Sequence, residues 1–435
     1  MTDSAPLRLA IAGLGTVGAG VIKLLDVNRE LVARRAGRPI EVVAISARDR
    51  SKDRGVDLSS YEWVDDMAAL AARDDIDAVI ELIGGSDGPA LTLARQCLGR
   101  GKAFVTANKA MLAHHGLELA REAERTGGAL KYEAAVAGGV PVIKGLRDGA
   151  AANRISRVYG ILNGTCNYIL STMEQEGRAF FDVLEEAQLK GFAEADPTFD
   201  IDGIDAAHKL AILASLSFGT QIDFPAVDIT GIRHVLAADI REAAALGCRI
   251  RLIGMAECAE DDDNLGLFQR VHPMLVPMSH PLAHVDGALN AVVAEGNFVG
   301  RLFFQGAGAG EGPTASAVVA DVIDIAREET GPAFAMPAKW LERQQKADAG
   351  QRIGRVYLRF LVQDRPGVLA EITAATRDAG VSIESVIQRA EAADGGVMVT
   401  IVTHSGAQSC IDDTLRRLAG SDSLIGEPVV MHILD

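Results

Sequence analysis

A glycine-rich turn near the N-terminus is the feature that most restricts how this chain can fold. An apolar run over residues 7–12 leads into Gly13-Leu14-Gly15-Thr16-Val17-Gly18, and a helix is predicted over 17–26. This is G-x-G-x-x-G between a strand and a helix, the context that a dinucleotide-binding turn requires. The first glycine allows a tight turn, the second lets the backbone approach a pyrophosphate, and the third lets helix and strand pack closely. The six residues of the turn are therefore predicted to bind a nucleotide.

Strand-like and helix-like segments alternate after this turn. Strands are predicted at 40–46, 78–83, 103–107 and 130–136, with helical runs between them. Such alternation predicts a parallel, doubly wound sheet, in which ligands bind beyond the carboxyl ends of the strands. Ser86 and Lys109 follow two of these ends, so both are expected at the cofactor, and Lys109 also at the substrate. The alternative for Lys109 is a surface lysine that opens a helix.

The end of the second strand bears on the choice of cofactor. An NAD-binding fold usually places an acid here to hold the ribose 2′-hydroxyl. This chain instead reads Ser46-Ala47-Arg48-Asp49-Arg50. Because Arg48 suits a 2′-phosphate, the sequence favours NADP. Asp49 leaves NAD open, and an ordinary loop arginine is the other interpretation.

The predicted elements divide this α/β chain of 435 residues into four parts. A Rossmann-like nucleotide-binding domain covers 1–145 and is completed by a helix within 306–335, where Gly306 is expected to touch the cofactor. Helices followed by strands over 146–305 predict an α+β substrate and dimerisation domain. Residues 336–354 form a charged linker. The order βαββαβ over 355–435 predicts a ferredoxin-like module, which either binds a small ligand or only dimerises.

Composition excludes several classes of protein. The net charge of −16 disfavours nucleic acid and anionic membranes as partners. No apolar run reaches transmembrane length, and the N-terminus has no pattern of a secretory signal. Five scattered cysteines without a C-x-x-C pair predict reduced thiols in the cytoplasm and no zinc site.

Residues 191–212 contain five carboxylates followed by a lysine and an apolar helical run. Asp205 and Lys209 are four residues apart and share a helix face. A solvated ion pair at a helix start is the ordinary interpretation. However, the helix is apolar nearly all round and should be buried, and a buried lysine among carboxylates indicates a function. The neighbouring His208 should point about 100° away from it.

The turn over residues 133–141 is a candidate cation site. Its small residues leave backbone carbonyls exposed next to the Glu133 carboxylate, which together suit a monovalent cation. A plain turn is the alternative.

Four segments together resemble homoserine dehydrogenases of the bacterial single-function type. They are GLGTVG at 13–18, TANK at 106–109, NGTCNYIL at 163–170 and GFAEADPTFDIDGIDAAHKLAIL at 191–213. The resemblance covers roughly residues 7–330. The tail resembles an ACT domain, whose pattern includes the Asp364-Arg-Pro-Gly367 turn.

The resemblance implies an activity and a set of roles. The family interconverts L-aspartate 4-semialdehyde and L-homoserine with NAD(P)(H), on the route to threonine, methionine and isoleucine. Lys209 matches the proton-transferring lysine and Asp205 the acid beside the reacting oxygen. Glu194 matches the carboxylate that holds the substrate amino group, and Asp200 a further substrate contact.

The remaining implications concern the cofactor, a cation and control. Lys109 matches a lysine near nicotinamide and substrate, so either lysine is a candidate proton donor, and Arg48 fits members that use NADP. The family's sodium-binding turn matches Glu133, Val136, Gly138 and Val140. The ACT-like tail implies feedback by threonine or a related amino acid, and the enzyme is expected to be a homodimer or homotetramer.

Two other functions are open to the chain. An aspartate-semialdehyde dehydrogenase shares the aldehyde, but its chemistry needs a cysteine nucleophile with a histidine base, and no such pairing is visible. An amino-acid sensor would use the ACT-like tail and need no turnover.

Overall fold

A parallel sheet of short, buried strands forms the N-terminal domain. The computed structural model of the protein describes residues 5–258, 266–389 and 396–435. The strands run in the order β3-β2-β1-β4-β5-β6 and are β1 (Leu7–Ala12), β2 (Ile40–Ser46), β3 (Glu62–Trp63), β4 (Ala78–Glu81), β5 (Ala103–Thr106) and β6 (Leu130–Lys131). The helices are α1 (Thr16–Val27), α2 (Arg29–Ala36), α3 (Ala68–Ala72), α4 (Pro89–Gly99) and α5 (Lys109–Thr126). The strand order reverses between β1 and β4, which is where a doubly wound sheet binds its ligand.

The second domain consists of helices packed on an antiparallel sheet. Its helices are α6 (Val142–Lys144), α7 (Gly164–Glu176), α8 (Phe180–Leu189), α9 (Thr198–Ile201), α10 (Ile204–Phe218) and α11 (Ala237–Ala245). Its strands are β7 (Ile155–Ile161), β8 (Asp228–Ile229), β9 (Cys248–Cys258), β10 (Leu267–Pro277), β11 (Leu289–Gly296) and β12 (Gly300–Ala307). Every residue from Asp205 to Leu216 on α10 is buried. The reason is that α10 packs against β7, β9 and β10 on one side and against α5 of the first domain on the other.

A long helix returns the chain to the nucleotide-binding domain. This helix, α12 (Glu311–Ala326), packs along α1. The two approach closely at Gly20, where a Cβ atom would lie 2.6 Å from Cγ of Glu311. Lys23 on α1 also forms an ion pair with Glu311 at 2.7 Å. A second glycine-rich loop, Gly306-Ala-Gly-Ala-Gly310, precedes α12 and is thereby held beside the first.

The C-terminal module has the predicted βαββαβ order. Its elements are β13 (Ile353–Gly354), β14 (Val356–Gln363), α13 (Val368–Asp378), β15 (Ile383–Arg389), β16 (Gly396–Thr403), β17 (Gly406–Ala407), α14 (Gln408–Leu418) and β18 (Val429–Ile433). The short strands β13 and β17 add a separate two-stranded pair to this order. The α/β class and the ferredoxin-like tail are thus confirmed. In the described part of the chain, no helix combines the length and apolarity needed to cross a membrane.

The tail is not a separate module on a tether. Strand β18 pairs in parallel with β10, so one sheet runs through both domains in the order β12-β11-β7-β9-β10-β18-β14-β16-β15. The segment predicted as a linker is itself fixed: Glu342 exchanges backbone hydrogen bonds with Gly219 and Gln221, and Gln345 accepts one from Leu267. Periodicity within one segment cannot show such pairing between distant strands, so the sequence did not predict it.

The predicted strand over 130–136 is wrong after its second residue. Strand β6 ends at Lys131, and Glu133–Ala135 forms a 3-10 turn. Side-chain capping explains the break, because the backbone N–H of Glu133 donates to Oδ2 of Asp321 on α12 at 2.8 Å instead of to a neighbouring strand.

A buried ion pair joins the tail to the second domain. Asp239 on α11 is fully buried, and Nε of Arg359 on β14 lies 2.9 Å from its Oδ1. The hydroxyl of Tyr357 donates to the same oxygen at 3.0 Å. Burial raises the pKa of Asp239, and the Arg359 guanidinium opposes that rise.

We predict that Arg359→Met lowers the free energy of unfolding by about 3–5 kcal/mol, because it leaves a buried carboxylate without its cation. Arg355→Met is the matched control. Arg355 pairs with Glu384 in the same module, but both side chains are more than a third exposed, so its loss should cost less than about 1 kcal/mol. Thermal and urea unfolding of both variants measure the difference. Equal losses would show that the tail is not held through Asp239.

Candidate active site

A cavity of about 600 Å³ lies where the first two domains meet. It is lined by side chains and backbone from both glycine-rich loops, from the N-termini of α5 and α10, and from the carboxylate-rich segment before α10. The lining residues that bear on the chemistry are Val17, Lys109, Asn163, Glu194, Asp200, Asp205, Lys209 and Gly308. The structure therefore brings the predicted substrate and lysine residues to one place, beside the nucleotide turn.

The three glycines of the nucleotide turn occupy different environments. Gly13 has φ of +103°, and a Cβ there would lie 2.6 Å from the carbonyl oxygen of Leu82. A Cβ on Gly18 would lie 2.2 Å from the carbonyl oxygen of Gly13. A Cβ on Gly15 would meet nothing within 4 Å. Gly13 and Gly18 are thus required by the protein's own packing, whereas Gly15 leaves space open at the N-terminus of α1 for a ligand.

Exposed charged residues of both signs follow β2. Arg48 is exposed at the end of this strand, and Arg50 stacks on Trp63 with 5.6 Å between guanidinium carbon and ring centre. Oδ1 of Asp49 accepts hydrogen bonds from the backbone N–H and hydroxyl of Ser51, at 2.8 and 2.7 Å. These bonds lower the pKa of Asp49 and use its carboxylate to shape the loop.

Of the predicted cofactor residues, Val17 and Lys109 line the cavity, and the others, Ser86 and Gly306 among them, lie outside its lining. The Ser86 hydroxyl donates to Oδ2 of Asp87 at 2.7 Å. Gly306 lies within β12 and faces Val140, while the residues of this loop that line the cavity are Gly308, Ala309 and Gly310. The loop was predicted to touch the cofactor, and its contact with the cavity comes two residues later than expected.

Sequence reasoning missed Glu81, which organises the loop after β4. It is fully buried, its Oε1 accepts the N–H groups of Ile83 and Gly84 at 2.7 and 3.1 Å, and its Oε2 accepts the Thr106 hydroxyl at 2.6 Å. It ties together the ends of β4 and β5, at the edge where the cofactor is expected. The sequence signal that could have identified it is an acidic residue at the end of an apolar strand.

One buried carboxylate holds both candidate lysines. Oδ2 of Asp205 accepts a hydrogen bond from Nζ of Lys209 at 2.7 Å, and Oδ1 lies 3.0 Å from Nζ of Lys109. Lys209 also donates to the carbonyl oxygen of Leu162 at 2.7 Å. Burial alone would raise the pKa of Asp205, but the two ammonium groups outweigh it and hold this pKa well below its usual range. In return, the Asp205 charge raises the pKa of Lys109 against the effect of burial.

Asn163 is a second residue that sequence reasoning did not single out. Its Nδ2 donates to Oδ1 of Asp200 and to Oδ2 of Asp205, both at 2.8 Å. Its Oδ1 accepts the N–H of Cys166 at 2.8 Å, so Asn163 caps α7. Burial raises the pKa of Asp200, and the Asn163 bond opposes this rise. The amide thus keeps two carboxylates close together without adding a charge.

Glu194 is held by its backbone and leaves its carboxylate available. Nε2 of Gln188 donates to the carbonyl oxygens of Glu194 and Ala195, at 3.0 and 3.1 Å. Within the described ranges, the Glu194 carboxylate has no hydrogen bond or ion pair, and it lines the cavity. His208, as expected, points elsewhere: its ring packs 4.3 Å from that of Phe224.

The predicted cation turn uses its carboxylate for another purpose. Oε1 and Oε2 of Glu133 accept the N–H groups of Ile143 and Lys144, at 3.0 and 2.8 Å, and so cap α6. Burial and the nearby Asp321 raise the pKa of Glu133 to about 7. Across the described residues, no group of three or more His, Cys, Asp or Glu is arranged to hold a metal ion. Glu133 is therefore a poor fit to an open ligand, and the sodium site stays a prediction that rests on the carbonyls of Val136, Gly138 and Val140.

Comparisons with known proteins agree with this geometry. Residues 13–133 match the family described as homoserine dehydrogenase, NAD binding domain, and residues 141–323 match homoserine dehydrogenase. A homoserine dehydrogenase from Pseudomonas aeruginosa is 44% identical over 98% of both chains. The chain belongs to the homoserine dehydrogenase family. It is accordingly an NAD(P)-dependent oxidoreductase, and residues 356–419 match the ACT domain.

Two solved structures of homoserine dehydrogenases are similar along most or all of the chain. The protein from Thiobacillus denitrificans has a TM-score of 0.92 and 40% identity over 99% of both chains. A hyperthermophilic archaeal homoserine dehydrogenase, solved in complex with NADPH, has a TM-score of 0.64 and 25% identity, and covers 76% of this chain and all of its own. The first supports the full architecture, including the fused tail.

The cavity does not suit the related semialdehyde chemistry that needs a thiol nucleophile. No cysteine is among the described residues that line it. The nearest cysteine in the chain to these residues, Cys166, is buried, and its Sγ donates to the carbonyl oxygen of Asp200 at 3.2 Å. Burial raises the pKa of Cys166 well above its usual value, which leaves the thiol protonated and unreactive.

The environments of the glycines predict separable effects of substitution. Gly15→Ala should leave the unfolding temperature unchanged but weaken dinucleotide binding by about tenfold or more, since the new methyl group would occupy ligand space. Gly18→Ala should lower the free energy of unfolding by about 1–3 kcal/mol, because the methyl group would overlap the Gly13 carbonyl. Cofactor titration by fluorescence and thermal unfolding measure the two effects. Unchanged cofactor affinity in Gly15→Ala would contradict the proposed role of this turn.

Proposed function

We propose that this enzyme interconverts L-aspartate 4-semialdehyde and L-homoserine with NADP(H), on the route to threonine, methionine and isoleucine. One observation carries the proposal. Two lysines from different domains meet on the two oxygens of Asp205, in a cavity that the nucleotide turn also reaches. The bound nicotinamide would supply or take up the hydride, and the chain's own residues bind the substrate and handle the proton.

The acids of the cavity suit the substrate's amino group. Glu194 has a free carboxylate, and Asp200 presents a carboxylate held by Asn163 and by the Thr165 hydroxyl, the latter at 3.3 Å. An ammonium group bound between such acids makes charge-assisted hydrogen bonds. We therefore assign Glu194 and Asp200 to the substrate ammonium.

The lysines suit the reacting oxygen. Reduction of an aldehyde builds negative charge on oxygen, and a fixed ammonium stabilises it and supplies a proton. Lys209 uses two of its three N–H bonds on Leu162 and Asp205, which leaves one for a ligand. We assign Lys209 as the proton donor and keep Lys109 as the second candidate. Asp205 holds both ammonium groups in place.

The direction of the pKa shift of Lys109 predicts how the reaction rate depends on pH if this lysine transfers the proton. Its pKa is raised, so the ammonium form persists into alkaline solution. If Lys109 is the donor, aldehyde reduction, which needs its protonated form, should fall as pH rises through that range. Homoserine oxidation, which needs its neutral form to accept the proton, should then rise over the same range.

We predict that Lys209→Met lowers kcat by about 10²–10⁴-fold, the usual effect of losing a general acid. Lys109→Met should also lower kcat, and the variant that abolishes the alkaline rise of homoserine oxidation identifies the donor. Initial rates from pH 7 to pH 11 measure this. Lys190→Met is the control, since Lys190 pairs with Glu186 on the surface beside the substrate segment. A Lys209→Met enzyme with the wild-type kcat would refute the assignment.

The preference for NADP rests on Arg48. Loss of a charged hydrogen-bond donor to a phosphate costs about 1.5–3 kcal/mol, so Arg48→Ala should raise KM for NADP by about 10–100-fold and leave KM for NAD unchanged. Arg125→Ala is the control, because Arg125 ends α5 at the opposite edge of the sheet, where it pairs with Glu122. Parallel initial rates with both cofactors measure the effect. An equal rise of both KM values would contradict a 2′-phosphate contact. The NADPH complex of the archaeal relative supports the choice.

We further propose that the ACT domain takes an amino-acid effector such as threonine and that the enzyme is a cytoplasmic homodimer or homotetramer. Among the described residues the sheet ends at β12 on one side and at β15 on the other, and such edge strands suit association. No disulfide joins any of the cysteines in the described residues, which suits a reducing compartment. Initial rates with and without threonine, on protein whose mass is known from light scattering, test control and assembly. Deleting the tail is a poor test, because it would expose β10 and leave Asp239 without Arg359.

A further inference from the structure

The turn that carries Asp200 is held from behind by a segment that takes no part in the reaction. We call residues 228–236 the back segment. The N–H of Ile232 donates to the carbonyl oxygen of Ile201 at 2.8 Å. A Cβ atom on Gly231 would lie 2.2 Å from that oxygen, so the two backbones are in direct contact. Because nothing compressible lies between them, a displacement of the back segment displaces α9 and Asp200 with it.

Arg233 of the back segment forms hydrogen bonds to residues on both sides of Asp200. Nε of Arg233 bonds to Oδ1 of Asp202, and its Nη2 donates to Oδ2 of Asp202 at 3.3 Å and to the Thr198 hydroxyl at 3.1 Å. The guanidinium and the carboxylate are both more than a third exposed, so this pair contributes little to stability. The planar guanidinium of Arg233 nevertheless fixes the orientation of Asp202 and Thr198, because it bonds to both. The contact thus acts on the position of the turn more than on the fold.

The other end of the back segment is attached to the ACT sheet. Nη2 of Arg359 on β14 donates to the carbonyl oxygen of His234, next in the chain to Arg233, at 2.9 Å. Its Nε pairs with Asp239, whose Oδ2 accepts the N–H of Leu236 at 2.9 Å. Strand β8, at the start of the segment, pairs with β10, which in turn pairs with β18 of the ACT domain. Both ends of the segment are therefore held to the joined sheet.

We propose that Arg233 is a positioning residue through which the ACT sheet sets the place of Asp200, and with it the affinity for the amino-acid substrate. The inference rests on the proposed function, since it takes Asp200 as a substrate contact. The lysines lie on α5 and α10 and Asp205 on α10, and none of them bonds to the back segment. A shift of β14 against α11, such as a ligand of the ACT domain would cause, should therefore change KM for homoserine more than kcat.

Substitution of Arg233 tests the proposal. Arg233→Met keeps the aliphatic stem and removes the fork, and should raise KM for homoserine by about two- to tenfold, with kcat and KM for NADP changed less than twofold. Arg233→Lys keeps the charge and should restore part of the affinity. Arg95→Met is the matched control, because Arg95 makes a bidentate, half-exposed pair with Glu118 away from the substrate turn. An unchanged KM for homoserine, or an equal rise of both KM values, would overturn the proposal.

A second variant tests the connection to the ACT domain. Arg359→Lys keeps a cation beside Asp239 but loses the bond to the His234 carbonyl. It should raise KM for homoserine on its own and add nothing further to Arg233→Met, because both act on one chain of contacts. Additive effects would show two independent routes and overturn the proposal. Wild-type turnover measured in parallel separates the hypotheses: no homoserine oxidation refutes the proposed function, whereas an active wild type with an unaffected Arg233→Met refutes this inference alone.

Discussion

Two lysines from different domains share one buried carboxylate, and much of the structure serves to hold that arrangement. Lys109 begins α5 beside the nucleotide sheet, and Lys209 lies on α10 of the second domain. Asp205 meets both because α5 and α10 pack directly against each other. Without the two ammonium groups, burial would raise the pKa of Asp205, and without Asp205 the two ammonium groups would repel each other. The relative position of the domains is therefore part of the electrostatics of the site.

The continuous sheet extends this dependence to the C-terminus. Strand β10 pairs with β9 of the second domain along one edge and with β18 of the ACT domain along the other. A tethered module transmits little to an active site, because its linker absorbs any displacement. The ACT domain instead continues the sheet of the second domain and is joined to it by a buried ion pair. It can therefore transmit a displacement directly, through packed elements with little freedom to deform. The proposed control by the tail would therefore require no separate moving segment.

Local patterns predicted the elements better than the contacts between them. Strand β2 has the bounds expected from its apolar run, the apolar run after Lys209 is a buried helix as expected, and the glycine turn lies between a strand and a helix. The roles of Glu81 and Asn163 could not be read in the same way, since each depends on partners that only the fold brings close. The joining of β18 to β10 was hidden for the same reason. A register between strands about 160 residues apart leaves no periodic signal in either strand.

The charged groups of the substrate and of the cavity suggest different roles for the two lysines. The substrate carries an ammonium, a carboxylate and a reacting oxygen, and Lys109 and Lys209 are the cations among the described residues that line the cavity. On the proposed assignment Glu194 and Asp200 bind the ammonium. If one lysine then serves the reacting oxygen, the other is left to bind the carboxylate. Proton transfer requires close alignment, which favours the ammonium with two fixed partners, Lys209. Lys109 has one fixed partner and a side chain that is 35% exposed, so it suits a carboxylate, whose binding tolerates a wider range of positions. On this argument Asp205 serves to hold two different cations at a set distance, one for chemistry and one for binding.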